Sequence, residues 1–428
     1  MHVHSVGRHE ASASKSPQHS LLETYDLHRV AHIREDVVHC LFVVGLFFFF
    51  FVEIFTEILL GIISYRSSIH SRKRERHWTH ATRKGDMPPK KKDKAAAAGE
   101  GDTGEDPEVF LANYKKAAKI FGGEVSDEIL DGISGAGEDG GGEADYTQVC
   151  VRSNVGPAGV RALAAAMLGQ HAEMKGGPYK KFKSLNLWSA GAGPDGTAAV
   201  AEVLRLGGED VVLQLVRFLD CGITPRGCFA LGQALKYGCN NTCKFLALEY
   251  DETIGDDGVS TLCRGLRTNT VLETLIINNC NVGSKGARSI ASVLNNTSSA
   301  LKELNINLNP IGPEGLKSLS SSLKRNTSLE TLHCEGIGLS KVDIEALESF
   351  TQALEVNKTL STIHFTGNHI GNEGAEVFAA AFADGGCSGL KTFMVEMDGI
   401  SQSLFKVISR AGGGKKGKKG KKGKKKKK

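Results

Sequence analysis

A repeated frame runs through most of the 428-residue chain and restricts its fold more than any other feature. The segments LETLIINNCNVGSKGARSIASVLNN from Leu272 and LKELNINLNPIGPEGLKSLSSSLKR from Leu301 both follow L-x-x-L-x-L-x-x-N/C-x-I/V-G-x-x-G and continue into a helical run. Steps of 28 to 31 residues between successive starts predict a solenoid of eight or nine stacked units. The frame also begins at Phe182, Leu213, Cys243, Leu329, Leu360 and Leu390, and a degenerate earlier unit ends in NVGPAG at 154–159.

Each recurring position of the frame has a physical role. Residues 1, 4, 6 and 11 of a unit point inward from a short strand and its turn, and they stack on the same residues of the next unit. An Asn or Cys at position 9 can bond backbone groups that are otherwise buried without partners. Glycine at position 12 allows a sharp turn, and glycine at position 15 allows close packing at the start of the helix. Position 9 holds Cys221, Cys280, Asn309 and Asn368, and position 12 holds Gly193, Gly255, Gly283, Gly312 and Gly371.

This frame resembles the ribonuclease-inhibitor type of leucine-rich repeat over roughly residues 145–410. The resemblance implies an α/β horseshoe in which a parallel sheet lines the concave face and helices lie outside. One irregularity stands out within the array, because the unit at Cys243 has one extra residue before Ile254.

Residues 87–144 form a basic and glycine-rich leader that contains one predicted helix, 106–121. Asp106 is its expected N-cap, Pro107 opens it, and glycines after residue 121 end it. We expect this helix to cover the open N-terminal end of the array, with partner binding as the alternative. Its apolar stripe consists of Val109, Phe110, Tyr114, Ala117 and Ile120. The segment SQSLFKVISRAG is expected to close the C-terminal end.

Residues 1–86 form a doubtful N-terminal extension that carries the hydrophobic segment 41–64, LFVVGLFFFFFVEIFTEILLGIIS. This segment is long and apolar enough for a single-pass membrane anchor. A seam in composition at Met87, where a second start opens, favours the alternative that 1–86 is upstream sequence absent from the mature product. If the segment is an anchor, the basic residues after it are expected to hold the repeats on the cytosolic side, so we expect the repeats in the cytosol under either alternative.

Charge is strongly segregated along the chain. The formal net charge is +5, yet the last 14 residues alone carry 11 lysines, so the rest of the chain is net acidic. Residues 411–428 are interpreted as a disordered tail with three open roles, namely no dedicated partner, electrostatic binding of a polyanion, or nuclear import. An acidic protein, RNA or an acidic lipid surface could serve as the anionic partner. The lysines concerned are Lys415, Lys416, Lys418, Lys419, Lys421, Lys422, Lys424 and Lys425.

The chemical motifs in the chain have structural explanations. GAGPDG at 191–196 matches a dinucleotide-binding pattern, but Gly193 and Gly196 are repeat positions 12 and 15. Sites of the form Asn-x-Ser/Thr recur just after the helices, where Asn suits a helix end. The ten scattered cysteines indicate reduced thiols and a cytoplasmic location. We find no catalytic constellation and expect neither enzyme activity, nor a cofactor, nor a metal. The Asn-x-Ser/Thr sites start at Asn240, Asn295, Asn296, Asn326 and Asn357.

The concave face is the predicted functional surface, because strand positions 5, 7 and 8 face solvent there. An exposed Trp and Tyr in its first half, followed by Asn and acidic side chains, favour protein binding. The alternative is that these are merely solvated strand positions. The candidate residues are Asn186, Trp188, Arg217, Asp220, Tyr250, Asn278, Asn305, Asn307, His333, Glu335, His364 and Glu396.

The leading functional hypothesis is a non-catalytic interaction scaffold tethered by its basic tail. The layout is similar to leucine-rich-repeat proteins of protist cilia and cytoskeleton, which implies cytoskeletal association. A second hypothesis is a regulator of a small GTPase, since the same repeat subtype occurs in the Ran GTPase-activating family. That family's acidic run is C-terminal, whereas this chain ends in lysine. A third is a membrane-anchored, receptor-like protein, which requires that 41–64 be translated.

Overall fold

The computed structural model describes residues 103–134, 147–383 and 386–410. Three segments discussed from the sequence lie outside the described residues. They are the N-terminal extension 1–86 with its hydrophobic segment 41–64, a second G-x-G-x-x-G match, GAGEDG at 135–140, and the lysine tail 411–428. Among the residues described, no helix is both long and apolar enough to cross a membrane.

Nine parallel strands form a single sheet in strict sequence order, β1 to β9. The strands are β1 Gln148–Val151, β2 Ser184–Trp188, β3 Leu215–Leu219, β4 Phe245–Glu249, β5 Thr274–Asn278, β6 Glu303–Asn305, β7 Thr331–His333, β8 Thr362–His364 and β9 Thr392–Met394. The helices are α1 Pro107–Phe121, α2 Asp127–Ser134, α3 Gly156–Leu168, α4 Gly193–Leu206, α5 Pro225–Ala234, α6 Gly255–Leu266, α7 Ser284–Leu294, α8 Gly312–Leu323, α9 Ile344–Val356, α10 Gly371–Phe382 and α11 Gln402–Ile408. We number the repeats 1 to 9 by their strands. The predicted α/β solenoid is confirmed.

The sheet register follows the sequence frame. Leu185 pairs with Val216, which pairs with Leu246, so position 4 of each repeat lies beside position 4 of the next. Side chains at positions 4 and 6 are buried, while those at positions 3, 5 and 7 are mostly half-buried. This alternation follows from the two-residue period of a strand, with one side of the sheet packed against the helices. The core therefore runs as a continuous layer between sheet and helices.

Position 9 bonds the backbone where the chain leaves each strand. The Asn309 amide nitrogen donates to the carbonyl of Ile277 at 2.7 Å, and its oxygen accepts from the N–H groups of Cys280 and Val282. In repeat 3 the Cys221 thiol donates to the carbonyl of Leu187 at 3.2 Å. The predicted role of an amide or thiol at this position is confirmed.

A second set of buried asparagines joins the helix ends of successive repeats. The Asn326 amide nitrogen donates to the carbonyl of Leu294, and its oxygen accepts from the N–H of Leu329. Asn240, Asn269 and Asn357 make the equivalent bonds. Asn240, Asn326 and Asn357 are at most 7% exposed, so these Asn-x-Ser/Thr sequences serve packing.

The two GxGxxG glycines of repeat 2 also serve packing. Gly193 adopts a left-handed φ of 57° where the turn enters α4. A Cβ atom on Gly196 would lie 3.1 Å from the Cβ of Val160 in the preceding repeat, which is tighter than ordinary contact. The predicted packing explanation for GAGPDG is therefore supported by the geometry.

Helix α1 begins and ends as the sequence predicts. The Asp106 carboxylate accepts from the N–H of Glu108 at 2.9 Å, and Gly122 ends the helix with a φ of 66°. Phe110 is buried against the rings of Tyr179 and Phe182 at the start of repeat 2. Ile120, which the sequence also places on the apolar stripe, is 39% exposed.

Candidate functional site

We use the term open face for the side chains at positions 3, 5 and 7 of the repeats, on the sheet surface opposite the helices. Ten of the twelve predicted residues lie on it, and each is half-buried. These ten are Asn186, Trp188, Arg217, Asn278, Asn305, Asn307, His333, Glu335, His364 and Glu396. The other two, Asp220 and Tyr250, occupy position 8, beyond the strand ends, and both are exposed.

The open face of repeats 2 to 5 carries large apolar side chains among polar ones. Trp188 and Leu219 are register partners, as are Leu215 and Phe245, and Ile276 lies one strand further on, beside Ala247. We call Trp188, Leu215, Leu219, Phe245 and Ile276 the apolar patch; all five are half-buried. The Trp188 indole N–H is a buried donor that has no hydrogen-bond partner within the described residues.

Two arginines lie over the aromatic rings of this patch. The Arg152 guanidinium is 4.8 Å from the ring centre of Trp188, and that of Arg217 is 5.4 Å from the ring centre of Phe245. The Arg217 Nε is also 3.3 Å from a Glu249 carboxylate oxygen. Arg217 is therefore charge-balanced inside the face, whereas Arg152 lies exposed at its N-terminal border.

Position 8 adopts a left-handed backbone in repeat after repeat. Tyr250 has a φ of 61° and Leu308 a φ of 57°, which for residues other than glycine and asparagine costs on the order of 1 kcal/mol each. Their side chains are 49% and 53% exposed. The strained turns of repeats 4 and 6 thus each expose a large side chain, one aromatic and one aliphatic, at the edge of the open face. Position 8 also has a positive φ at Ser189, Asp220, Asn279, Gly336 and Gly367.

The open face of repeats 6 to 8 is polar instead. His333 and His364 are register partners on β7 and β8, and their rings stack at 4.2 Å between centres. The His333 Nε2 lies 3.2 Å from a Glu303 carboxylate oxygen, and the His364 Nδ1 lies 3.4 Å from a Glu335 carboxylate oxygen. Burial, and next the neighbouring His364, lower the pKa of His333. We call Glu303, His333, Glu335 and His364 the histidine cluster.

The histidine cluster is the part of the site with metal-ligand character. One ligand atom each from His333, Glu335 and His364 lie within 4.8 Å of one another. Within the described residues this is the single group of three or more such side chains that meets this distance. Sequence analysis placed all three on one face but did not combine them.

The cysteines do not form a nucleophilic centre among the described residues. Burial raises the pKa of Cys221 to about 11 and those of Cys243, Cys263 and Cys280 to about 12, so these thiols stay protonated near neutral pH. Each serves as a small core residue or as a donor to a carbonyl.

Sequence analysis missed several residues of the open face. Leu219 and Ile276 occupy positions 7 and 5 but are apolar, so they resemble core residues in the sequence. Leu215, Phe245 and Glu303 occupy position 3, which shares the same side of the strand. Applying the two-residue strand period to position 3 would have found them.

Comparison with known proteins points to the repeat itself. A family model described as Leucine Rich repeat matches residues 268–291, 297–320 and 356–379. The human NACHT, LRR and PYD domains-containing protein 5 is 32% identical over 114 residues, which is 26% of this chain and 9% of that protein. The human NACHT, LRR and PYD domains-containing protein 13 is 33% identical over 148 residues, 35% of this chain and 14% of that protein. The chain therefore spans a small part of the length of these relatives.

Two solved structures show weak similarity to the chain. Leiomodin-1 actin-binding site 2 has a TM-score of 0.31 and 15% identity, covering 38% of this chain and 87% of that one. The yeast Rad7 and Elc1 complex has a TM-score of 0.37 and 12% identity, covering 72% of this chain and 74% of that one. The three family matches fall on repeats 5, 6 and 8 of the solenoid, in phase with strands β5, β6 and β8. Motif, register and family match agree, and the chain is a leucine-rich-repeat protein.

Proposed function

We propose that this chain is a non-catalytic scaffold that binds a protein partner on the open face of repeats 2 to 5. The observation that carries the proposal is the apolar patch, which places a Trp and a Phe on a half-buried sheet surface. Aromatic side chains of this kind dominate the binding energy of protein interfaces. The repeat lengths and the helix after each strand further support the ribonuclease-inhibitor type of repeat.

The partner should combine an apolar anchor with polar groups. Among the residues that the structure describes, none accepts a hydrogen bond from the Trp188 indole N–H, and a buried donor without a partner costs about 1–3 kcal/mol. A partner carbonyl or carboxylate would remove that cost, and Arg152 beside it favours a carboxylate. Tyr250, held in a strained turn at the border of the patch, would supply a further contact.

The test compares two exposed tyrosines. Tyr250 borders the open face, while Tyr237 lies just beyond α5, between that helix and the next strand, and is 70% exposed. Full-length wild type, Tyr250→Ala, Trp188→Ala and Tyr237→Ala are used to capture partners from extracts of the native cells, with quantitative mass spectrometry as the readout. A partner retained by Tyr237→Ala but reduced about ten-fold by both Tyr250→Ala and Trp188→Ala supports the proposal.

Equal recovery with all four proteins would show that the open face of repeats 2 to 5 is not the binding surface. Thermal unfolding of each variant separates lost binding from lost folding. Trp188→Ala removes a half-buried side chain, so Tyr250→Ala, which removes an exposed one, is the decisive variant.

The lysine tail is proposed to add an electrostatic contact with an anionic partner. Eleven lysines among the last 14 residues give a high density of positive charge. A chain lacking 411–428 should bind the same partner more weakly at low salt, with the difference shrinking as salt rises. An identical salt dependence for the intact and shortened chains would remove the tail from the mechanism.

A further inference from the structure

The histidine cluster brings together ligand types suited to transition metals. Imidazole nitrogen and carboxylate oxygen are the donors that zinc uses in three-residue sites that leave one position open. His333 and His364 come from adjacent strands, and Glu335 follows His333 by two residues on the same face. The sheet register therefore fixes the spacing of all three.

The distances are close to those that a metal needs. With bonds of about 2.0–2.1 Å, a tetrahedral zinc separates its ligand atoms by roughly 3.4 Å. The His364 Nδ1 and the nearest Glu335 oxygen already lie 3.4 Å apart. The three ligand atoms lie within 4.8 Å of one another, so a ring nitrogen of His333 needs to approach by at most about 1.4 Å to reach a ligand separation of roughly 3.4 Å.

We propose that His333, Glu335 and His364 bind a divalent transition metal, with zinc as the probe, and leave one coordination position open on the open face. Glu303 is assigned as a positioning residue that orients the His333 ring. Nothing in this proposal depends on protein binding by the apolar patch, because metal binding is measured on the chain alone.

Contacts around the cluster hold the proposed ligands in place. The Glu303 contact at 3.2 Å matches the carboxylate–histidine pairing that orients metal-bound imidazoles. The Glu335 backbone N–H donates to the Asn307 side-chain oxygen at 2.8 Å, and this bond fixes the backbone position of Glu335.

The chain also offers a matched control. His369 lies nearby in repeat 8 and pairs with Asp398 at 2.8 Å, but it is exposed and stands outside the cluster. His369→Gln therefore removes an imidazole paired with a carboxylate without touching the proposed ligands.

The experiment titrates zinc into full-length protein with a chromophoric indicator, and cobalt(II) into the same proteins with visible absorption as the readout. The wild type should bind one more equivalent than His333→Gln, Glu335→Gln or His364→Gln, or bind that equivalent at least about ten-fold more tightly. Cobalt(II) in the wild type should give the ligand-field bands of a low-coordinate site, and each ligand variant should lose that component.

His369→Gln should match the wild type in both titrations, and Glu303→Gln should weaken binding less than the ligand variants do. Because every protein contains the same other histidines and cysteines, binding elsewhere cancels in the comparison. Identical zinc stoichiometry and affinity in the wild type and the three ligand variants would overturn the proposal. Thermal unfolding in chelator confirms that each variant is folded, and the near-isosteric Glu335→Gln remains informative if a histidine variant is not.

Discussion

Repeats 2 to 5 and repeats 6 to 9 carry different side chains at the same backbone positions. On the open face, the first group presents the apolar patch and the second presents the histidine cluster. At position 9 the first group has Ala190, Cys221, Asp251 and Cys280, whereas the second has Asn309, Ile337, Asn368 and Asp398, so asparagine occurs at this position in the second group alone. Every strand nevertheless pairs in parallel with its neighbour. Both groups keep mostly apolar side chains at the inward positions 4 and 6, so the open-face positions can differ without a change in strand pairing.

The contrast at position 9 predicts the largest difference in stability. Asn309 makes five bonds to backbone groups, whereas the Cys280 thiol in the preceding repeat makes two to carbonyls. Asn309→Ala leaves two buried N–H groups unpaired and should lower the free energy of unfolding by about 3–4 kcal/mol. Cys280→Ala should cost about 1 kcal/mol, because a thiol is a weak donor.

Urea unfolding followed by circular dichroism measures both changes. Asn278→Ala on the open face serves as the control, and we expect a cost below about 1 kcal/mol because its side chain is only half-buried. Equal losses for Asn309→Ala and Cys280→Ala would mean that amide and thiol are equivalent at this position, and the contrast between the two groups of repeats would not extend to stability.

The second prediction concerns Asp251, which fills position 9 of the irregular repeat 4. Its carboxylate accepts from the N–H groups of Cys221 and Gly222 and is 4% exposed. Burial raises the pKa of Asp251, and hydrogen bonds from the backbone N–H groups of Cys221, Gly222 and Ile223 oppose that shift. Asn at this position keeps an acceptor and adds a donor, as at Asn309. Asp251→Asn should therefore stabilise the protein by about 1 kcal/mol at pH 7.

The raised pKa of Asp251 determines how the stabilisation by Asp251→Asn should change with pH. Because the folded pKa of Asp251 is raised, the folded state holds its proton more tightly than the unfolded state. Stability from this group is fully present below the ordinary pKa and is lost as pH rises through the folded value. The advantage of Asp251→Asn should accordingly be small at pH 3 and reach its plateau near neutral pH. An advantage that is constant with pH would contradict this account.

The sequence predicts the backbone of the repeats better than it predicts their surface. The frame predicted the strands, the helices and the bonds of Asn309, because each such position recurs in many repeats. It did not predict that Tyr250 and Leu308 adopt a left-handed backbone, since neither residue type prefers it. The proximity of Glu303 to His333 depends on register between strands 30 residues apart, which no local pattern reveals.

The smallest predicted effect lies at the border between the two groups, in repeat 5. Glu273 contacts Lys244 at 2.9 Å and Lys302 at 2.7 Å, and hydrogen bonds from Lys302 and then Lys244 lower its pKa to about 2. So low a pKa suggests a strong interaction, but both lysines are more than half exposed. Solvent and the entropy of long side chains reduce such pairs to about 0–1 kcal/mol. Glu273→Gln should therefore cost less than about 1 kcal/mol at pH 7.

Salt and pH distinguish this ion-pair contribution from a packing effect. Because the folded pKa of Glu273 is lowered, its contribution is present above the ordinary value of 4.5 and is lost as pH falls toward 2. The difference between wild type and Glu273→Gln should shrink over that range, and also in about 1 M salt, where charges are screened over roughly 3 Å. A larger loss of unfolding free energy that persists in high salt would mean that Glu273 stabilises the contact between repeats 4 to 6 by packing. The two groups of repeats would then differ in packing at their border as well as in surface chemistry.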